Sequence, residues 1–123
     1  MIQQELVIKF AAFLGMLAVI LGAFGAHALK KVLDESQLKS FETGIRYQMF
    51  HAIALLVLGL ANKEVDIKLF LCFFIGTILF SFSIYGLVLS SANGKKLSFL
   101  GPITPIGGLI LIIGWGLLLF GQY

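Results

Sequence analysis

Four long apolar stretches, roughly residues 7–29, 45–61, 69–91 and 103–120, take up most of this 123-residue chain and leave only short polar connections between them. A helix needs about 20 mainly apolar residues to cross the hydrocarbon of a bilayer. A segment lying in lipid must satisfy its backbone hydrogen bonds internally, as a helix or within a closed barrel. The stretches lack the two-residue alternation of barrel strands. With 59% hydrophobic and 12% charged residues and a mean hydropathy of +1.03, the chain carries more apolar surface than a soluble protein of this size buries. The expectation is an all-α integral membrane bundle of four transmembrane helices, a single membrane domain over residues 1–123 with the lipid bilayer as its partner.

The second stretch is short for a span. Asp34 or Ser36 is placed to N-cap a helix that starts earlier, and Gln37 completes a capping box to Asp34. A short amphipathic segment from about Glu35 is therefore predicted between the first and second spans, with Leu38 and Phe41 facing apolar surroundings and Lys39 and Glu42 facing water. The Ala26-His27-Ala28 sequence resembles a signal-peptide cleavage site. However, the run before it exceeds the usual h-region of about 7–15 residues and three spans follow, so an uncleaved helix is expected.

The net charge of +3 and pI near 9.2 do not point to nucleic acid, because the basic residues flank the spans instead of forming one stripe. Lys30, Lys31, Lys39, Arg46, Lys95 and Lys96 lie in or beside the connections after spans one and three, against Lys9, Lys63 and Lys68 on the other side. The positive-inside bias then predicts cytoplasmic loops after spans one and three and both termini outside. Cys72 is the only cysteine, so no internal disulfide forms.

Small residues mark the faces that pack. Ala11, Gly15, Ala18, Gly22 and Ala26 recur every three or four residues and draw one stripe along span one. Such a stripe lets helix backbones approach closely, within the chain, in a homo-oligomer or against another membrane protein. Gly107, Gly114 and Gly121 repeat every seven residues in span four and form a second seam.

A chain that reverses at each pass brings the polar ends of its spans to one membrane face. Span one contributes His27. Span two contributes Arg46, Tyr47, Gln48 and His51, with His51 about 7 Å deeper than Arg46 by helical rise. Span three contributes Ser81, Ser83 and Tyr85, and span four opens on Gly101-Pro102-Ile103-Thr104-Pro105. Polar groups at such depth face a bundle interior, a partner or water. Arg46, Tyr47 and Tyr85 also read as interfacial anchors. The two prolines predict a stiff, bent entrance with carbonyls that lack amide donors and that Thr104 partly satisfies. No carboxylate lies within a span, which argues against proton-coupled transport. Two histidines make no convincing metal site, and no nucleophile or cofactor motif occurs.

The segments Gly22-Ala23-Phe24-Gly25-Ala26-His27-Ala28-Leu29, Thr43-Gly44-Ile45-Arg46-Tyr47-Gln48-Met49-Phe50-His51-Ala52 and Gly101-Pro102-Ile103-Thr104-Pro105-Ile106-Gly107-Gly108, with Gly114-Trp115 behind, resemble the small bacterial membrane proteins classed as domain of unknown function 423. Where members often carry Ser-Gly-Ser-x-Tyr, this chain has Ser81-Phe82-Ser83-Ile84-Tyr85. The resemblance implies a multi-pass protein of the bacterial plasma membrane and brings no established activity.

Two readings of function follow. In the first, His27, Arg46, Tyr47, Gln48, His51, Tyr85 and Thr104 line a polar pocket near the cytoplasmic face that binds or passes a small polar or anionic molecule or a lipid headgroup. In the second, the protein is an accessory or assembly subunit of a larger membrane complex, docked through its small-residue faces. A membrane enzyme with a histidine base is the weaker third reading.

Overall fold

A computed structural model describes residues 1–123 as four long helices. Helix α1 covers Gln4–Leu29, α2 covers Glu35–Ala61, α3 covers Ile67–Ala92, and α4 covers Ile103–Leu119 behind a 3-10 turn at Ser98–Leu100. The first three hold 26, 27 and 26 residues. At 1.5 Å per residue each is about 39 Å long, more than the roughly 30 Å of hydrocarbon, so their ends reach the headgroups.

Helix α2 starts ten residues before the second apolar stretch. Gln37 N–H donates to Asp34 Oδ1 at 2.8 Å and Asp34 N–H donates to Gln37 Oε1 at 3.0 Å, the reciprocal capping box. The first turns of α2 carry Glu35, Lys39 and Glu42 exposed and bury Phe41. At the other end of the bundle Asp66 caps α3 through Lys68 N–H at 2.8 Å.

Two features have no counterpart in the sequence patterns. Ile2–Gln3 (β1) pairs antiparallel with Glu64–Val65 (β2), Ile2 opposite Val65, which clasps the N-terminus to the connection between α2 and α3. Helices α1 and α3 each contain one wide π turn, at Leu21–Gly25 and Ile78–Phe82. These turns lie toward the same end of the antiparallel bundle.

Helices α2 and α3 are the inner pair, with 39% of their most apolar windows buried, against 22% for α1 and 17% for α4. Two cores run along them. The larger joins Val7 and Leu14 of α1 to Leu55, Leu69 and Phe73, and the smaller joins Leu33 and Phe41 to Tyr85 and Val88. Lipid has no less affinity for apolar side chains than a protein core, so close packing and directed hydrogen bonds must hold such helices together. Glycine supplies the closeness. A Cβ on Gly107 would overlap backbone atoms of Leu79 and Phe80 in the α3 π turn, and one on Gly114 would lie 2.8 Å from the Phe73 ring. Helix α4 therefore docks on α3 through Gly107 and Gly114; Gly121, expected as the third member of that seam, lies beyond the helix end at a φ of +76° with nothing packed against it. The α1 stripe makes looser contact with α2: a Cβ on Gly15 would be 3.9 Å from Ala52 and one on Gly22 3.5 Å from Ile45.

The expected bend at the start of α4 is absent. Pro102 occupies the N-cap and Pro105 the first turn of a helix that is regular from Ile103. The first four amides of a helix have no intrahelical acceptor, so prolines there remove nothing and leave the ladder intact.

Candidate functional site

The polar residues at the end of the bundle that carries the α1–α2 and α3–α4 connections divide into a buried seam and an exposed rim. The seam follows from matched helical spacing. Gly44 and Gln48 lie one turn apart on α2, and Ser81 and Tyr85 lie one turn apart on α3, so two rungs face each other. Ser81 Oγ donates to the Gly44 carbonyl at 2.7 Å, and the Tyr85 hydroxyl donates to Gln48 Oε1 at 2.7 Å. The Gln48 amide in turn donates through Nε2 to the Leu14 carbonyl of α1 at 2.8 Å, so one side chain ties three helices. Gly44 is required here, because a Cβ would stand 2.7 Å from Tyr85 Cε1. One turn deeper on α3, Thr77 is fully buried and its hydroxyl has no partner.

His51 lies in a separate contact further along α2. Trp115 Nε1 donates to His51 Nε2 at 3.0 Å, and His51 Nδ1 lies 2.7 Å from the Tyr47 carbonyl. An indole N–H only donates and a carbonyl only accepts. This assigns a neutral imidazole with its proton on Nδ1, and both ring nitrogens are occupied. Phe73 closes the remaining side, its ring centroid 5.5 Å away.

The α4 entrance is tied to α3 by a hydroxyl pair. Ser83 Oγ donates to the Phe80 carbonyl at 2.9 Å, so its single hydrogen is committed and Thr104 Oγ1 donates to Ser83 Oγ. Thr104 thus contacts the neighbouring helix and satisfies no carbonyl of its own entrance.

Of the seven residues proposed from the sequence, Gln48, His51 and Tyr85 are buried and Thr104 is half-buried, all along the α2–α3–α4 contacts. His27, Arg46 and Tyr47 lie on the rim, with Tyr47 40% exposed and resting on Phe80 at 4.7 Å. The seven do not enclose one cavity, and none of them lines the five main hollows of the surface. No three His, Cys, Asp or Glu side chains come close enough to hold a metal ion.

The hollow that does open at this end has a volume of about 290 Å³ and lies between α2, α3 and the α3–α4 connection. Its polar wall is made of Ser36, Gln37, Ser40, Ser91, Lys96 and Ser98, with Leu87 and Val88 beside them. Lys39 and Thr43 line a second, adjoining depression on α2. The sequence patterns did not single out this group: the serines are common at helix ends and sit on three separate segments. Only the helical register of Ser36 and Ser40, one turn apart, hinted at a shared face. Trp115 was also missed as the partner of His51, although an indole N–H inside a bilayer needs an acceptor.

These features define a multi-pass membrane protein with four spans, a hydrogen-bonded seam through its inner pair and a polar hollow at one end. Residues 21–108 match the family described as protein of unknown function (DUF423), and the chain belongs to that family. It is similar to the UPF0382 inner membrane protein YgdD of Escherichia coli K12, 40% identical over 118 residues that cover 91% of this chain and 85% of that protein. It is also similar to the UPF0382 membrane protein SAB0533 of Staphylococcus aureus, 38% identical over 123 residues covering 98% and 97%. A third relative, a UPF0382 membrane protein of Staphylococcus epidermidis, is 40% identical over 116 residues covering 91% and 90%. No solved structure matches the chain.

Proposed function

We propose that this protein lies in the bacterial plasma membrane with the α1–α2 and α3–α4 connections in the cytoplasm and both termini outside. At that cytoplasmic end it binds the polar head of a lipid or a small polar molecule without passing it across. The observation that carries this reading is the hollow of about 290 Å³ walled by serines, Gln37 and Lys96. Ser40 lies five residues before Ile45 on α2, about 7 Å outside the apolar stretch by helical rise, which is headgroup depth. Binding is favoured over passage because Gln48, Tyr85, Ser81 and His51 already spend their hydrogen bonds on one another, on the Trp115 indole and on backbone carbonyls. The same occupancy of both His51 nitrogens disfavours a general base there.

The test is native mass spectrometry of the protein extracted with its surrounding lipid, compared with a Ser91→Phe variant that fills the hollow. A bound molecule retained by the native chain and lost from the folded variant is the expected result. Identical adducts on both would contradict the reading.

A second reading, an accessory subunit of a larger membrane complex, draws on one observation. A lipid-facing apolar hollow of about 260 Å³ lies between α1 and α2 around Ala11, Gly15 and Ala52. Mild-detergent purification that recovers this protein alone, with no stoichiometric partner, would count against it.

A further inference from the structure

The wall of the serine hollow says more than that something polar fits there. We infer that it holds a phosphate group, carried on the head of an anionic phospholipid or on a free phosphate ester; this rests on the reading above that the polar end binds a headgroup or small polar molecule.

Lys96 is the only charged side chain in the wall, and no carboxylate lines it. The protein's one ion pair, Glu5 with Lys9 at 2.8 Å, is at the opposite end of the bundle, so the Lys96 ammonium has no internal counter-ion. The acids at the start of α2 lie outside this wall. Asp34 accepts the Gln37 amide in the cap, while Glu35 makes no ion pair and lines the adjoining depression, which shares Ser36 and Ser40 with the hollow and also carries Lys39.

The hydroxyls are equally uncommitted. Ser91 receives only a long contact of 3.5 Å from Gln37 Nε2, and Ser36, Ser40 and Ser98 take no part in the protein's side-chain hydrogen bonds. An unpaired ammonium among free hydroxyl donors is the set that a phosphate's oxygens accept from. Lysine serves such a group as a point charge that follows it within reach.

The loop that carries Lys96 is braced. Gly94 turns the chain at a φ of +78°, a left-handed conformation that suits glycine. Lys95 N–H donates to the Ser90 carbonyl at 3.1 Å and Leu97 N–H donates to Ser90 Oγ at 3.0 Å, on either side of Lys96. The ammonium therefore starts from a fixed backbone position. A volume of about 290 Å³ sits at the lower bound of small-molecule sites, of order 300 Å³, enough for a phosphorylated head and not for its acyl chains. Those would run past Leu87 and Val88 into lipid.

The experiment measures lipid retention by the full chain in nanodiscs that contain phosphatidylglycerol and phosphatidylcholine, for native protein, Lys96→Gln, Lys96→Arg and Lys63→Gln. Glycerol 3-phosphate is titrated separately as the free ester. Native protein should enrich phosphatidylglycerol. Lys96→Gln should weaken that preference about tenfold, the weight of one charge-assisted hydrogen bond. Lys96→Arg should keep most of it, and Lys63→Gln, on the far side, all of it. Competition by glycerol 3-phosphate would identify the free ester as a ligand, and its absence would identify the lipid. Enrichment unchanged in Lys96→Gln, or equally lost in Lys63→Gln, would overturn the inference. Retention of a phosphate-free lipid, such as diacylglycerol added to the same discs, in preference to both phospholipids would overturn the phosphate while sparing the headgroup reading, and retention of nothing by the native chain would sink both.

Discussion

The two halves of the α2–α3 interface are held together differently. Toward the α2–α3 connection the contact is Leu55, Leu58, Leu69 and Phe70 against one another and against Val7 of α1, with the short β1–β2 clasp at the rim. Toward the other end it is Gly44, Gln48, Ser81 and Tyr85, each with a defined partner at 2.7 Å or 2.8 Å. Apolar packing inside a bilayer tolerates a shift of register, because the displaced side chain meets lipid of similar character. A rung displaced by one turn instead leaves a donor and an acceptor bare in hydrocarbon. We read the apolar half as supplying contact and the polar half as setting which residues face each other, which in turn shapes the hollow beyond it.

Substitutions separate the halves by size of effect. Gly107→Leu should be the most damaging, because its side chain meets the α3 backbone and no rotamer relieves it. A loss of about 3 kcal/mol or more is expected, seen as failure to recover folded protein by size exclusion. Gln48→Leu keeps the volume but strips the Tyr85 hydroxyl and the Leu14 carbonyl of their partner. Unfolding by steric trapping in bicelles should show about 1 to 2 kcal/mol lost. In the apolar half the comparable volume-conserving change, Leu55→Met, should cost less than about 1 kcal/mol by the same measurement. Thr77→Val removes a buried hydroxyl that has no partner, so it should leave stability unchanged or raise it by up to about 1 kcal/mol.

Much of this architecture is legible in the amino-acid sequence. The four apolar stretches locate the spans, and Asp34 with Gln37 gives the true start of α2, because capping chemistry is local. The β1–β2 pair is invisible there: two residues on each side carry no periodic pattern, and only the closeness of Val65 to Ile2 selects it. The π turn at Ile78–Phe82 likewise accompanies the docking of Gly107 on Leu79 and Phe80, a long-range contact. For the polar residues, the sequence gathers Gln48, His51, Tyr85 and Thr104 at one end of the bundle and marks His51 as deeper than Arg46, but it does not reveal their partners. It offers Tyr85 as an interfacial anchor, where the structure buries it. His51 stands out on depth alone. Its Trp115 contact depends on an indole reaching across from α4, which is docked on α3, and no local pattern states that. The hollow draws Ser36, Ser91, Lys96 and Ser98 from separate segments, so it emerges only from the tertiary arrangement.

The claim that hydrogen bonds set the register is tested most directly by a double-mutant cycle on Gln48→Leu and Tyr85→Phe, read as unfolding free energy in bicelles. If the 2.7 Å bond between these side chains carries the contact, the two changes should be non-additive by about 0.6 to 1.7 kcal/mol, the range of interhelical hydrogen bonds in membranes. Additive losses, with a coupling indistinguishable from zero, would contradict the account.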